Sequence, residues 1–152
     1  MGWFIKMVRL KKEIEEINSD IFIVSEDTID FFEKRQKIIL DTSVIVKWFF
    51  KEDEKYIENA ELVLQRYFKN EIKIITPEIL LFELTNTIKN KSLKNEDYQL
   101  EVIDKIFSIG IIFYINKKIL KSALKTALKI GESVYDCTFI ATAEHFSGIF
   151  IT

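Results

Sequence analysis

At 152 residues and 18.0 kDa, with 48% hydrophobic and 30% charged residues, the chain is long enough for one domain with a real core and is not broadly disordered. Its 24 acids against 22 bases leave a net charge of −2, so it does not attract polyanions as a whole; nucleic acid would need a local basic patch or bound metal ions. A single cysteine excludes an internal disulfide, and no apolar run makes a signal peptide or a membrane span, so a soluble, cytoplasmic protein is expected.

Residues 1–36 read as an N-terminal extension. A short charged helix is expected over 11–17, a strand-like run over 20–24, and an amphipathic helix over 27–37. From residue 37 onward the pattern alternates. A strand over 38–40 leads to a helix over 43–50, and a charged bend precedes a helix over 56–68. A strand over 72–75 ends at Thr76-Pro77, where Thr as N-cap and Pro at the first helical position start a helix reaching residue 89. A helix over 95–107 follows, then a strand over 111–115, helices over 117–129 and 133–146, a stop at Gly148 and a last strand over 149–151. Only four Gly and one Pro interrupt this order, which favours long helices and short connections. The expected fold is α/β: a three-layer α/β/α sandwich around a mostly parallel sheet.

Three carboxylates stand in otherwise apolar surroundings. Asp41 closes the apolar run Ile38-Ile39-Leu40, where open α/β sheets present site residues. It could equally cap the helix that follows, unless Thr42 or Ser43 does so. Glu83 follows Ile79 and Leu80 by four and three residues and so shares their helical face, with Asn86 one turn later. A Glu there needs a Lys or Arg partner or a metal ion shared with Asp41, unless it is protonated. Asp136 follows Ser133 at capping-box spacing, yet Phe139, Ile140 and Ala143 on its face aim it toward the core. Oxygen ligands without His or Cys suit Mg²⁺ or Mn²⁺ rather than zinc. His145 reads as a surface residue facing a helix C-terminus, and Cys137 as a buried structural thiol.

The ordered segments Ile38-Ile39-Leu40-Asp41-Thr42-Ser43, Thr76-Pro77-Glu78 through Glu83-Leu84-Thr85-Asn86, Tyr135-Asp136-Cys137-Thr138-Phe139-Ile140-Ala141-Thr142-Ala143-Glu144 and Gly148-Ile149-Phe150-Ile151-Thr152 resemble the PIN-domain family, most closely its VapC-type toxin ribonucleases. The resemblance covers about residues 37–152. It implies a five-stranded parallel sheet and metal-dependent cleavage of single-stranded RNA. Asp41, Glu83 and Asp136 would hold Mg²⁺ or Mn²⁺, and Ser43 and Asn86 would position groups around them. It further implies an antitoxin-like protein as partner and a homodimer.

The chain departs from that pattern at Thr152, where the family's last strand runs into an acidic turn and a terminal helix. The fourth carboxylate is thus missing from its usual place. Glu26 or Asp27 in the extension could substitute for it; otherwise residues 1–36 are an accessory segment packed beside the domain. A rival expectation is a catalytically weakened PIN fold that binds RNA or an antitoxin. A third is phosphotransfer through Asp41, as in haloacid-dehalogenase-like enzymes, which want a second Asp where this chain has Ser43. Lys89, Lys91 and Lys94 are the candidates for RNA contact. Lys117, Lys121, Lys125 and Lys129 recur every four residues and form either a solvated face or one that steers phosphate.

Overall fold

The computed structural model describes residues 35–51, 55–91 and 95–152. Expectations placed on 1–34, Glu26 and Asp27 among them, and on Lys94 lie outside the described residues. The order is β1 (Gln36–Leu40), α1 (Thr42–Val46), α2 (Ile57–Phe68), β2 (Ile72–Thr76), α3 (Ile79–Asn90), α4 (Glu96–Ser108), β3 (Ile112–Phe113), α5 (Lys117–Ile130), α6 (Val134–Phe146) and β4 (Ile149–Ile151).

The four described strands form a parallel sheet in the order β3-β2-β1-β4. Ile38 of β1 pairs with Ile74 on one side and Ile149 on the other. Ile39, Leu40 and Ile74 are fully buried, as a parallel sheet covered on both faces requires. Right-handed crossovers explain the layers. The path β1-β2-β3 moves one way across the sheet and the return to β4 moves the other, so the two sets of helices cover opposite faces. The α/β/α sandwich expected from the sequence is the one observed.

One core gathers β1, β2, α2, α3 and α4 with Phe139 of α6. A second, smaller one joins Ile119, Ala123 and Ala127 of α5 to Cys137 and Ala141 of α6. Its small residues let the two helices approach closely. Cys137 is fully buried there, and burial together with the charges of Asp136 and Glu132 pushes its thiol up, which fits an inert structural role.

Several boundaries moved for identifiable reasons. Gln36 and Lys37 belong to β1 rather than to a helix reaching 37, because they pair with Ile72 and Lys73. The helix expected over 43–50 ends at Val46; the chain then turns to bury Trp48 and Phe50, with Trp48 Nε1 donating to the Ala60 carbonyl at 2.8 Å. Thr76 is not an N-cap. It is the last residue of β2, fully buried, and its hydroxyl donates to the Leu40 carbonyl at 3.1 Å, so α3 starts at Ile79. The strand over 111–115 shrinks to Ile112–Phe113. Beyond it Tyr114 stacks with His145, and Asn116 accepts from the Ile119 amide to cap α5. A fifth strand is not found among the described residues.

Gly148 matters through space rather than through φ. A Cβ there would stand 2.5 Å from Ile39 Cδ1 and 2.9 Å from the Lys37 carbonyl oxygen. Only glycine lets the α6–β4 connection press against β1. Ser147, in the left-handed region at φ 51°, ends α6 itself.

Candidate active site

Strand order reverses at β1, with β2 added on one side and β4 on the other. In open α/β sheets, ligand sites form outside the carboxyl ends of the strands at such a reversal. Asp41 stands there. Its amide donates to the Ile151 carbonyl at 3.0 Å, and its Oδ2 accepts from the Thr152 hydroxyl at 3.1 Å. It occupies the N-cap position of α1, yet its side chain caps nothing. The capping explanation for this acid is therefore not realised.

Glu83 comes from the second turn of α3. Its Oε2 accepts a 2.8 Å hydrogen bond from Thr42, the residue after Asp41. Thr42 thus spends its hydroxyl on Glu83 rather than on the helix it starts. Glu83 is half-buried, and among the described residues no Lys or Arg pairs with it or with Asp41. Burial raises the Glu83 carboxyl above its ordinary value; the Thr42 hydrogen bond opposes the rise, and the charges of Asp41 and Asp136 add to it. Glu83 therefore feels both other acids.

Asp136 differs from expectation. It is exposed, because it lies in the first turn of α6, beyond the buried run that begins at Cys137. Ser133 caps the helix, but only half of a capping box is realised: its hydroxyl accepts from the Asp136 amide at 3.1 Å, and the Asp136 carboxylate takes the Ser133 hydroxyl proton at 2.6 Å rather than the Ser133 amide. Its second carboxylate oxygen is not used in that motif.

Among the described residues, no three His, Cys, Asp or Glu side chains make a preassembled metal cluster. The acids share an edge and an electrostatic field rather than a closed cage. Ser43 is exposed, and its carbonyl accepts from Lys47 Nζ at 2.8 Å. Asn86 and Lys89 are exposed on α3, while Lys91 is half-buried with its ammonium 5.9 Å from the Phe50 ring centroid. Two participants escaped the sequence reading. Thr42 and Thr152 each hold a carboxylate, and only the hydroxyls flanking each end of the sheet edge could have hinted at it. Among the described residues, no helix is long and apolar enough to cross a membrane.

A parallel α/β sheet with acids at its topological switch point offers oxygen ligands where such sheets bind their ligands. The PIN-domain family model matches residues 38–152, and the chain belongs to that family. Members of the family are generally divalent-metal-dependent nucleases, a class that acts on nucleic acid. No curated protein matches the chain in a sequence comparison.

Proposed function

We propose that this protein is a metal-dependent endoribonuclease of the VapC toxin type that cleaves single-stranded RNA, with Asp41, Glu83 and Asp136 holding Mg²⁺ or Mn²⁺. One observation carries the reading. Asp41 and Glu83, from different elements, meet at the sheet's carboxyl edge, each held by a threonine hydroxyl and neither neutralised by a cation among the described residues. The charges of Asp41 and Asp136 raise the cost of ionising Glu83, and a divalent cation removes that cost.

The donor set fits such an ion. Magnesium keeps several waters and takes only one or two carboxylates from the protein, so an open, all-oxygen edge suits it better than a cage would. When bound, the ion would lower the pKa of a water and offset charge at a phosphodiester. The chain's own groups do the rest. The Thr42 and Thr152 hydroxyls orient the carboxylates on Glu83 and Asp41. Ser133 holds one oxygen of Asp136 and leaves the other toward solvent. Ser43 and Asn86, exposed beside Asp41 and Glu83, are available to orient an RNA strand, and Lys89 and Lys91 supply positive charge beyond them, with Lys94 a further candidate by its place in the sequence. An antitoxin-like protein would be the inhibitor and a homodimer the working form.

The test is cleavage of unstructured RNA by purified, partner-free protein with Mg²⁺ or Mn²⁺. Cleavage that disappears on chelation and in Asp41→Asn supports the reading; cleavage indifferent to both ends it. The absence of a preassembled cluster among the described residues favours one alternative, a weakened PIN fold that binds RNA or an antitoxin without cutting. RNA binding with no cleavage in either metal would select that alternative.

A further inference from the structure

α5 is amphipathic in an unusual way. Its inner face is small and buried, at Ile119, Ala123 and Ala127. Beside that face runs a ridge of leucines four residues apart, Leu120, Leu124 and Leu128, which are 48%, 48% and 79% exposed. Along the ridge lies the exposed lysine row Lys117, Lys121, Lys125 and Lys129. Lys117, Lys118, Lys121, Ser122 and Lys125 line a shallow open groove on this surface. Three exposed leucines on a helix otherwise rich in lysine are more than solubility calls for.

The same chain carries the complementary chemistry. Residues 13–33 include eight acids and no Lys or Arg, a charge of −8, interleaved with Ile14, Ile17, Ile21, Phe22, Ile29 and Phe32. The net charge of −2 hides this division between an acidic leader and a lysine-rich helix. Position agrees with chemistry. Gly148, just past α6, presses on Lys37 at the start of β1. α5 begins at that same end of α6, since Ser122 donates to Glu144 Oε2 at 3.3 Å and Tyr114 stacks with His145. The chain therefore enters β1 close to where the leucine ridge begins. α5 has 14 residues, about 21 Å of helix, which the 21 residues of 13–33 can follow.

We propose that the acidic, apolar segment 13–33 docks in cis along α5, its apolar side chains on Leu120, Leu124 and Leu128 and its carboxylates against Lys117, Lys121, Lys125 and Lys129. The apolar contact supplies the affinity and the charges fix the orientation. The ridge begins at the end of α6 away from Asp136 and the docking needs neither metal nor RNA, so it stands whether or not the protein cleaves RNA.

The test is zero-length carbodiimide coupling of carboxylates to lysines in the full-length chain, using a mixture of isotope-labelled and unlabelled protein. Docking in cis predicts cross-links within one chain from 13–33 to the α5 lysines. It also predicts that Leu124→Asp makes chymotryptic cleavage after Phe31 or Phe32 about tenfold faster, the cost of one lost leucine contact. The surface variant Lys121→Glu/Lys125→Glu provides the same comparison if Leu124→Asp does not fold. Cross-links only between copies would overturn docking in cis and assign the ridge to a second molecule. Cross-links spread equally over Lys55, Lys69 and Lys73, or cleavage unchanged in both variants, would overturn the proposal outright.

Discussion

The Thr42 hydroxyl donates a 2.8 Å hydrogen bond to Glu83 Oε2, tying the turn after β1 to the second turn of α3. This bond is the one influence that lowers the Glu83 pKa, against burial and the charges of Asp41 and Asp136, which raise it from the ordinary 4.5. Thr42→Val should therefore raise the Glu83 pKa further, while Asp41→Asn or Asp136→Asn should lower it. Carboxyl ¹³C NMR titration of the three variants checks the signs. A fall in Thr42→Val would contradict the assignment.

The same shift sets a pH dependence of stability. The folded state holds the Glu83 proton more tightly than the unfolded chain does. Stability from this group is therefore full below 4.5 and declines as pH rises through the raised value. In metal-free buffer at neutral pH, Glu83→Gln should raise the melting temperature, by roughly 1–3 °C after allowing for solvent screening. With excess Mg²⁺ the order should reverse, because the variant loses a ligand. Thermal melts with and without the ion measure both.

Gly148 offers a purely steric prediction. Gly148→Ala drives a methyl into Ile39 Cδ1 and the Lys37 carbonyl, so β4 must shift away from β1. The expected loss is about 1–3 kcal/mol in urea unfolding. Since β4 carries Thr152 to Asp41, metal affinity should fall as well.

Ser133 separates capping from ligation at Asp136. Ser133→Ala removes the cap and should cost about 1 kcal/mol of stability. It also frees the Asp136 carboxylate from the Ser133 hydroxyl, so metal affinity should fall, but less than in Asp136→Asn. Asp136→Asn should preserve the fold and weaken the metal most. Metal binding unchanged in Asp136→Asn would make Asp136 a structural residue only.

On the RNA side, Lys89→Ala should lower affinity for single-stranded RNA of any sequence. It should also reduce the slope of log affinity against log salt by about 0.7. Filter binding across a salt series reads both effects.

The alternating elements were legible because β1, β2 and the helices carry period and apolar content that tertiary packing did not override. The meeting of Asp41 and Glu83 at one sheet edge was legible, the contacts that hold them there only partly. Asp41 and Glu83 could be placed at one edge because each broke an apolar pattern. That Thr42 would bind Glu83 could not be read, since a hydroxyl at a helix start is normally spent on the backbone. Asp136 was expected to face the core, and the error came from extending a helical face past the helix's buried portion to its first turn. Thr76 followed by Pro77 is a sound start signal, but the buried Leu40 carbonyl claimed the hydroxyl first.

If the proposed function is right, Asp41, Glu83 and Asp136 together hold one divalent ion. Mn²⁺ binding followed by electron paramagnetic resonance, in the unaltered chain and in Asp41→Asn, Glu83→Gln and Asp136→Asn, tests it most directly. The expected result is one Mn²⁺ per chain, displaced by Mg²⁺, with affinity reduced in every variant and falling as pH drops through the raised Glu83 pKa. Binding that is equally tight in all four proteins would contradict it.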